Sequence, residues 1–182
     1  QRQMCIRDSF QVESSGMRQY LRMLKPSCFE DVIAMLALYR PGPLGSGMVD
    51  EFIKRKHGQV PVVYPHESLS DCLRDTYGVI VYQEQVMQIF RELAGFSFGQ
   101  ADNVRRAMSK KKHAVMEAER EHFVHGCTDP GNECPGCVAN GISEKVANEI
   151  YDEMSSFASY AFNKSHAACY AYVAFQLSLI HI

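Results

Sequence analysis

A chain of 182 residues, 46% hydrophobic and 22% charged, carries enough apolar side chain for a packed core, which excludes a disordered tail. Its 19 basic and 21 acidic residues leave a net charge of −2. That excludes a globally basic nucleic-acid binder, so any phosphate contact has to come from local clusters. Seven cysteines without a secretory leader pattern point to a reducing, cytoplasmic setting, and no apolar run approaches the ~20 residues of a membrane span.

Residues 1–9 lack periodicity, and residues 177–182 close an apparent helix without a cap. Both read as non-native flanks, leaving 10–176 as one incomplete, mainly α domain with short extended segments. Asp31 precedes a run in which Val32, Met35, Leu36 and Tyr39 fall at helical spacing, and Pro41 forces Arg40 out of the α region. "RPGPLGSG" (40–47) follows and reads as a fixed loop, punctuated by two prolines and three glycines. "EFIKRKHG" is a short helix closed by Gly58, whose Lys54, Arg55, Lys56 and His57 form either a solvated face or a phosphate contact. "QVPVVYPHESL" is extended and broken by Pro61 and Pro65, and Val79 to Tyr82 reads as a buried strand or a helix lead-in. Val86, Ile89, Phe90 and Leu93 mark a core helix that ends at Gly95.

From Gln100 one long helix is expected through Gly126, with Val104, Met108, Val115 and Phe123 as its buried stripe. Arg105, Arg106, Lys110, Lys111, Lys112 and His113 crowd its first half, while Glu117, Glu119 and Glu121 load the later turns. That gradient opposes the helix macrodipole, so a bound anion is the simpler reason for the cations, against a plain solubilising role. The turn-rich loop 129–141 follows, then a helix near Ser143 with Val146, Ile150, Met154 and Phe157 in register. His122, His125, Cys127, Cys134 and Cys137 lie close together, and Cys134 and Cys137 have the C-x2-C spacing of a zinc knuckle. Only one such pair is present, so the metal expectation is none, with zinc on these five residues as the minor alternative.

"YAFNKSHAACYAY" (160–172) sets Lys164, Ser165 and His166 at a helix mouth flanked by aromatic rings. With Ser165 as N-cap, the exposed N–H groups and the two neighbouring donors could hold an anion; the plain alternative is a capped surface helix.

Six stretches carry a resemblance: "FQVESSGM", "LYRPGPLGSGMVDEFIKRKHG", "YPHESL", "TYGVIVYQEQVMQIF", "ADNVRRAMSKKK" and "YAFNKSHAACYAYVAFQ". In this order and near-spacing they resemble the fingers region of the bacterial DNA polymerase III alpha subunits, the replicative family C DNA polymerases. The likeness covers Phe10 to Gln176. Ser109 and Ala161 stand where glycine is frequent in that family.

The resemblance implies a helical fingers subdomain that closes over an incoming deoxynucleoside triphosphate paired to primer-template DNA. It implies that Arg105 and Arg106 contact the triphosphate, and that Tyr160, Phe162, Asn163, Lys164, Ser165 and His166 lie against the sugar and base and help reject a 2′-hydroxyl. Arg40, Lys110, Lys111 and Lys112 become further phosphate or DNA contacts. The Mg²⁺ ions of phosphoryl transfer would be held by palm aspartates upstream, since no Asp-x-Asp pair occurs here. The isolated segment is therefore expected to be inactive. Sliding clamp and clamp loader would engage regions outside it, and no membrane partner is implied. The rival reading is a non-catalytic helical module that binds nucleic-acid backbone.

Overall fold

The computed structural model describes residues 10–109, 113–158 and 160–180. The mainly α expectation is met: the described residues form helices α1 (Ser15–Leu24), α2 (Phe29–Leu38), α3 (Pro41–Gly45), α4 (Met48–Lys56), α5 (Ser70–Leu73), α6 (Gln83–Ala94), α7 (Phe98–Ser109), α8 (His113–His125), α9 (Gly136–Ala139), α10 (Glu144–Ala158) and α11 (Lys164–Ile180). They divide into two compact units, one of Gln1–Val62, Asp75–Val81 and Phe162–Ile182, the other of Val63–Arg74 and Tyr82–Ala161.

In the first unit α2 packs against α1, α4 and α11. Its Ile33, Ala34, Met35, Ala37 and Leu38 are all buried, as suits a helix apolar on most of its circumference. On α11 Ala167, Ala171 and Ala174 are buried, a small-residue stripe at helical spacing that lets a neighbouring helix approach closely. Arg40 is extended (φ −146°, ψ 156°), as Pro41 requires. The stretch after it is corrected from loop to helix, because proline at the first helical position has its φ already set and lacks an N–H that would be orphaned there anyway.

Asp31, fully buried, joins this unit together. Its carboxylate accepts hydrogen bonds from Ser27 N–H (2.7 Å), Cys28 N–H (3.3 Å) and Tyr77 O–H (2.9 Å), and pairs with Lys56 Nζ at 3.0 Å. Lys56 also donates to Ser27 Oγ (2.7 Å), Arg55 pairs with Glu51 and donates to the Tyr77 carbonyl, and His57 Nε2 lies 2.9 Å from the Met23 carbonyl. The basic run 54–57 is thereby corrected in part: Arg55, Lys56 and His57 are structural contacts of this unit, neither a free phosphate site nor a merely solvated face.

The second unit is organised around α6, which packs on α7, α8, α9 and α10. Phe90 of α6 meets Phe123 of α8 (ring centroids 4.9 Å), Phe96 (5.2 Å) and Tyr151 of α10 (6.0 Å) in tilted and edge-on contacts. Gly95 ends α6 in the left-handed region (φ 71°), with Phe96 N–H returning to the Phe90 carbonyl, as the sequence suggested. Val79 to Tyr82 is buried and serves as the lead-in to α6.

The expected helix from Gln100 is corrected to two, α7 and α8, and Lys110, Lys111 and Lys112 lie outside the described residues. Val104, Met108 and Phe123 are buried as expected, whereas Val115 is exposed. Arg106 consequently occupies the last turn of α7, where the macrodipole favours cations, so the argument that its charge opposes helix stability falls.

Candidate functional site

The sequence-derived site residues are distributed over both units: Arg105, Arg106 and Tyr160 belong to the second, Arg40 and Phe162 to His166 to the first. In the second unit, Asp102 stands one turn before the arginine pair. Its Oδ1 accepts from Arg105 Nε (2.9 Å) and Nη2 (2.7 Å), and its Oδ2 lies 2.7 Å from Arg106 Nη2. Hydrogen bonding from Arg105, then the charges of both guanidiniums, hold the Asp102 carboxyl below the usual carboxylate range. One carboxylate thus fixes two cations and leaves the trio with a net positive charge. The Arg105 side chain is 22% exposed and that of Arg106 63%, so Arg106 is the one that presents donors to solvent. Arg105 Nη1 donates to Gln83 Oε1 (2.9 Å), and Gln83 Nε2 donates to the Ala161 carbonyl (3.3 Å). Tyr160 is exposed.

In the first unit, α11 begins differently from the sequence expectation. Asn163, not Ser165, caps it: Asn163 Oδ1 accepts the His166 N–H (2.8 Å) and its carbonyl accepts the Ala167 N–H (3.2 Å). Either side chain suits a cap, and Asn163 takes the role because the helix starts at Lys164, two residues earlier than a Ser165 cap would place it. Ser165 is exposed. Lys164 Nζ stands 3.8 Å from Asp75 Oδ2, both partly exposed, a weak pairing. Phe162 N–H donates to the Val81 carbonyl (3.0 Å), which anchors the segment just before the helix.

Phe162, His166 and Tyr170 follow at intervals of four and form a row of rings, with centroid separations of 5.6 Å and 4.2 Å. The Arg40 guanidinium lies 4.6 Å over the Phe162 ring, and its Nε donates to the Ala37 carbonyl at 2.7 Å. This brings Arg40 together with Phe162 and His166, a convergence that chain order does not disclose. Ala161 needs no strained backbone, since among the described residues the non-glycine positions of positive φ are Gln11, Lys25 and Tyr77.

Among the described residues no three His, Cys, Asp or Glu side chains are placed to hold a metal ion. Cys127 and Cys134 face each other through two backbone hydrogen bonds of 2.9 Å, Cys134 Sγ points at the His122 carbonyl, and His125 lies near Glu121 and Glu144. Cys137 is fully buried, and burial pushes its thiol up to about 12. Under native conditions an alkylating reagent should modify exposed Cys28 and Cys169 while Cys137 reacts only on unfolding. Mass spectrometry showing equal rates at Cys137 and Cys169 would refute its burial.

Gln83, Asp102 and Tyr170 are the residues that sequence reasoning missed. Asp102 was accessible from its i,i+3 and i,i+4 spacing to the arginines; Gln83 offered no local signal.

The family model for the bacterial DNA polymerase III alpha subunit finger domain matches residues 4–131. The chain is 51% identical over 171 residues to the DNA polymerase III subunit alpha of Bacillus subtilis, covering 94% of this chain and 14% of that protein. It is 50% identical over 172 residues to that of Escherichia coli K12 (92% and 14%), and 47% identical over 166 residues to that of Aquifex aeolicus (91% and 13%). A helical chain with an arginine pair at the end of one helix and a ring-lined start to another thus belongs to the bacterial DNA polymerase III alpha subunit finger-domain family. It spans about 14% of the length of these relatives.

Proposed function

We propose that this chain is the fingers segment of a template-directed DNA polymerase of chromosomal replication, and that it binds the incoming deoxynucleoside triphosphate. The observation that carries the reading is the Arg105 and Arg106 pair, pinned by Asp102 with the Arg106 guanidinium largely exposed, in a chain of the finger-domain family. A preorganised guanidinium pair suits a triphosphate because its fork matches phosphate oxygens and its pose is set before the ligand arrives. The Phe162, His166 and Tyr170 rings, with Arg40 over the first, offer a surface of the kind on which a sugar or base rests. Tyr160, Asn163, Lys164 and Ser165 complete the nucleotide-facing segment in this reading, with Lys110, Lys111 and Lys112 as DNA contacts.

The described acids do not fit a metal centre. The divalent ions, Mg²⁺ in this reading, belong to carboxylates of the palm elsewhere in the polymerase, and the isolated chain is inactive. Its work is positioning and charge neutralisation on a primer-template, in the cytoplasm, with clamp and clamp loader engaging other regions. Among the described residues no helix is long and apolar enough to cross a membrane.

Arg106→Ala in the full-length polymerase tests the assignment. The expected result is a deoxynucleotide KM raised at least tenfold, with the dissociation constant for primer-template changed less than threefold, on the order of one lost charged hydrogen bond. Equal losses in both would favour the rival, a backbone-binding module whose affinity falls steeply with salt and ignores nucleotide.

A further inference from the structure

We propose that Gln83 is a positioning residue that acts through Arg105 and ties it to the backbone at Ala161; this rests on the nucleotide-binding reading above. Gln83 is the first residue of α6 and is half-buried, and its amide is used at both ends within one unit. Its oxygen accepts from Arg105 Nη1 (2.9 Å), and its nitrogen donates to the Ala161 carbonyl (3.3 Å).

Arg105 is held on two sides. Asp102 takes Nε and Nη2, and Gln83 takes Nη1. A guanidinium fixed along two edges loses little further rotamer freedom when a phosphate binds, so its share of the binding free energy is not spent on ordering. The second bond anchors Gln83 itself: the Ala161 carbonyl belongs to the same unit and holds the amide in the pose that meets Arg105. A carboxamide is the side chain suited to this place, because it is donor and acceptor at once and adds no charge beside Asp102. Gln83 has no contact with substrate in this proposal. Its effect is on the pose of the arginine.

The test uses steady-state single-nucleotide incorporation by the full-length polymerase. Gln83→Leu, which withdraws both hydrogen bonds, should raise the deoxynucleotide KM roughly tenfold with kcat within twofold, the scale of one hydrogen bond to a charged group. In an Arg105→Ala background the same substitution should change KM less than twofold, because the residue it acts through is gone. Gln83→Glu, which keeps the acceptor for Arg105 but loses the donor to the Ala161 carbonyl, should recover only part of the loss. Gln83→Ser withdraws the same bonds without adding apolar surface, and it replaces the leucine variant if that one does not fold. The proposal is overturned if Gln83→Leu and Gln83→Ser leave KM unchanged, or if the effect multiplies undiminished in the Arg105→Ala background. If Arg105→Ala itself leaves KM unchanged while Arg106→Ala raises it, the nucleotide reading survives and the role of Gln83 falls. If neither arginine matters, both readings fall.

Discussion

Asp31→Asn should destabilise the chain by about 3–5 kcal/mol, the scale on which removing one partner of a buried ion pair acts. The substitution leaves the Lys56 ammonium, with a side chain only 7% exposed, without its counter-charge, and turns an amide N–H₂ toward donors that a carboxylate accepted: Ser27 N–H, Cys28 N–H and Tyr77 O–H. Denaturant unfolding followed by circular dichroism measures this, and a loss below about 1 kcal/mol would contradict the role given to the pair. The same site sets an acid dependence. Burial alone would raise the Asp31 pKa; the hydrogen bonds from Ser27, Lys56, Tyr77 and Cys28 outweigh it and bring it down to about 2 from an ordinary 3.8. A depressed carboxylate stabilises fully above its unfolded pKa and stops doing so as pH falls through the folded one. About 2 kcal/mol should therefore disappear between roughly pH 4 and pH 2, and Asp31→Asn should lack this step.

Gly126→Ala should cost about 2–5 kcal/mol, combining a left-handed backbone with a backbone collision. Gly126 terminates α8 at φ 87°, and a Cβ there would stand 2.5 Å from the Pro135 carbonyl oxygen and 2.6 Å from that of Cys134. The approach is reciprocal, since a Cβ on Gly136 (φ 79°) would lie 2.3 Å from Gly126 N. Neither obstacle is a flexible side-chain tip, so relief requires the hairpin that joins Cys127 to Cys134 to open. Gly131 is the control: it shares the positive φ (84°) but faces open space, so its alanine variant should cost only the ~1–2 kcal/mol of the conformation itself. Equal losses at the two positions would show that backbone strain, and not the close approach, sets the requirement.

The helices were legible where local rules govern them. Pro41 behind Arg40 and Gly95 after α6 are short-range constraints on φ and ψ, and both stand in the structure as the sequence implied, whereas Asp31, read as the residue before α2, lies inside that helix, whose N-cap is Cys28. Where two local solutions compete, sequence reasoning chose wrongly. Pro41 and Pro43 suit a turn or a helix start, and Asn163 and Ser165 are both good caps. The continuous reading of 100–126 failed because apolar spacing continues across a helix end as readily as along a helix.

The sequence by itself determined that the chain is helical, most of the apolar stripe of the helices around Phe90, Phe123 and Ile150, and, through six ordered motifs, the family to which it belongs. Tertiary structure alone decided which polar groups meet. Asp31 with Lys56 and Tyr77, Arg40 with Phe162, and Gln83 with Arg105 are contacts between residues distant in the chain, brought together by tertiary packing. No periodicity records such pairs: spacing within a helix fixes neighbours at three and four residues, whereas contacts across the chain depend on how buried faces align.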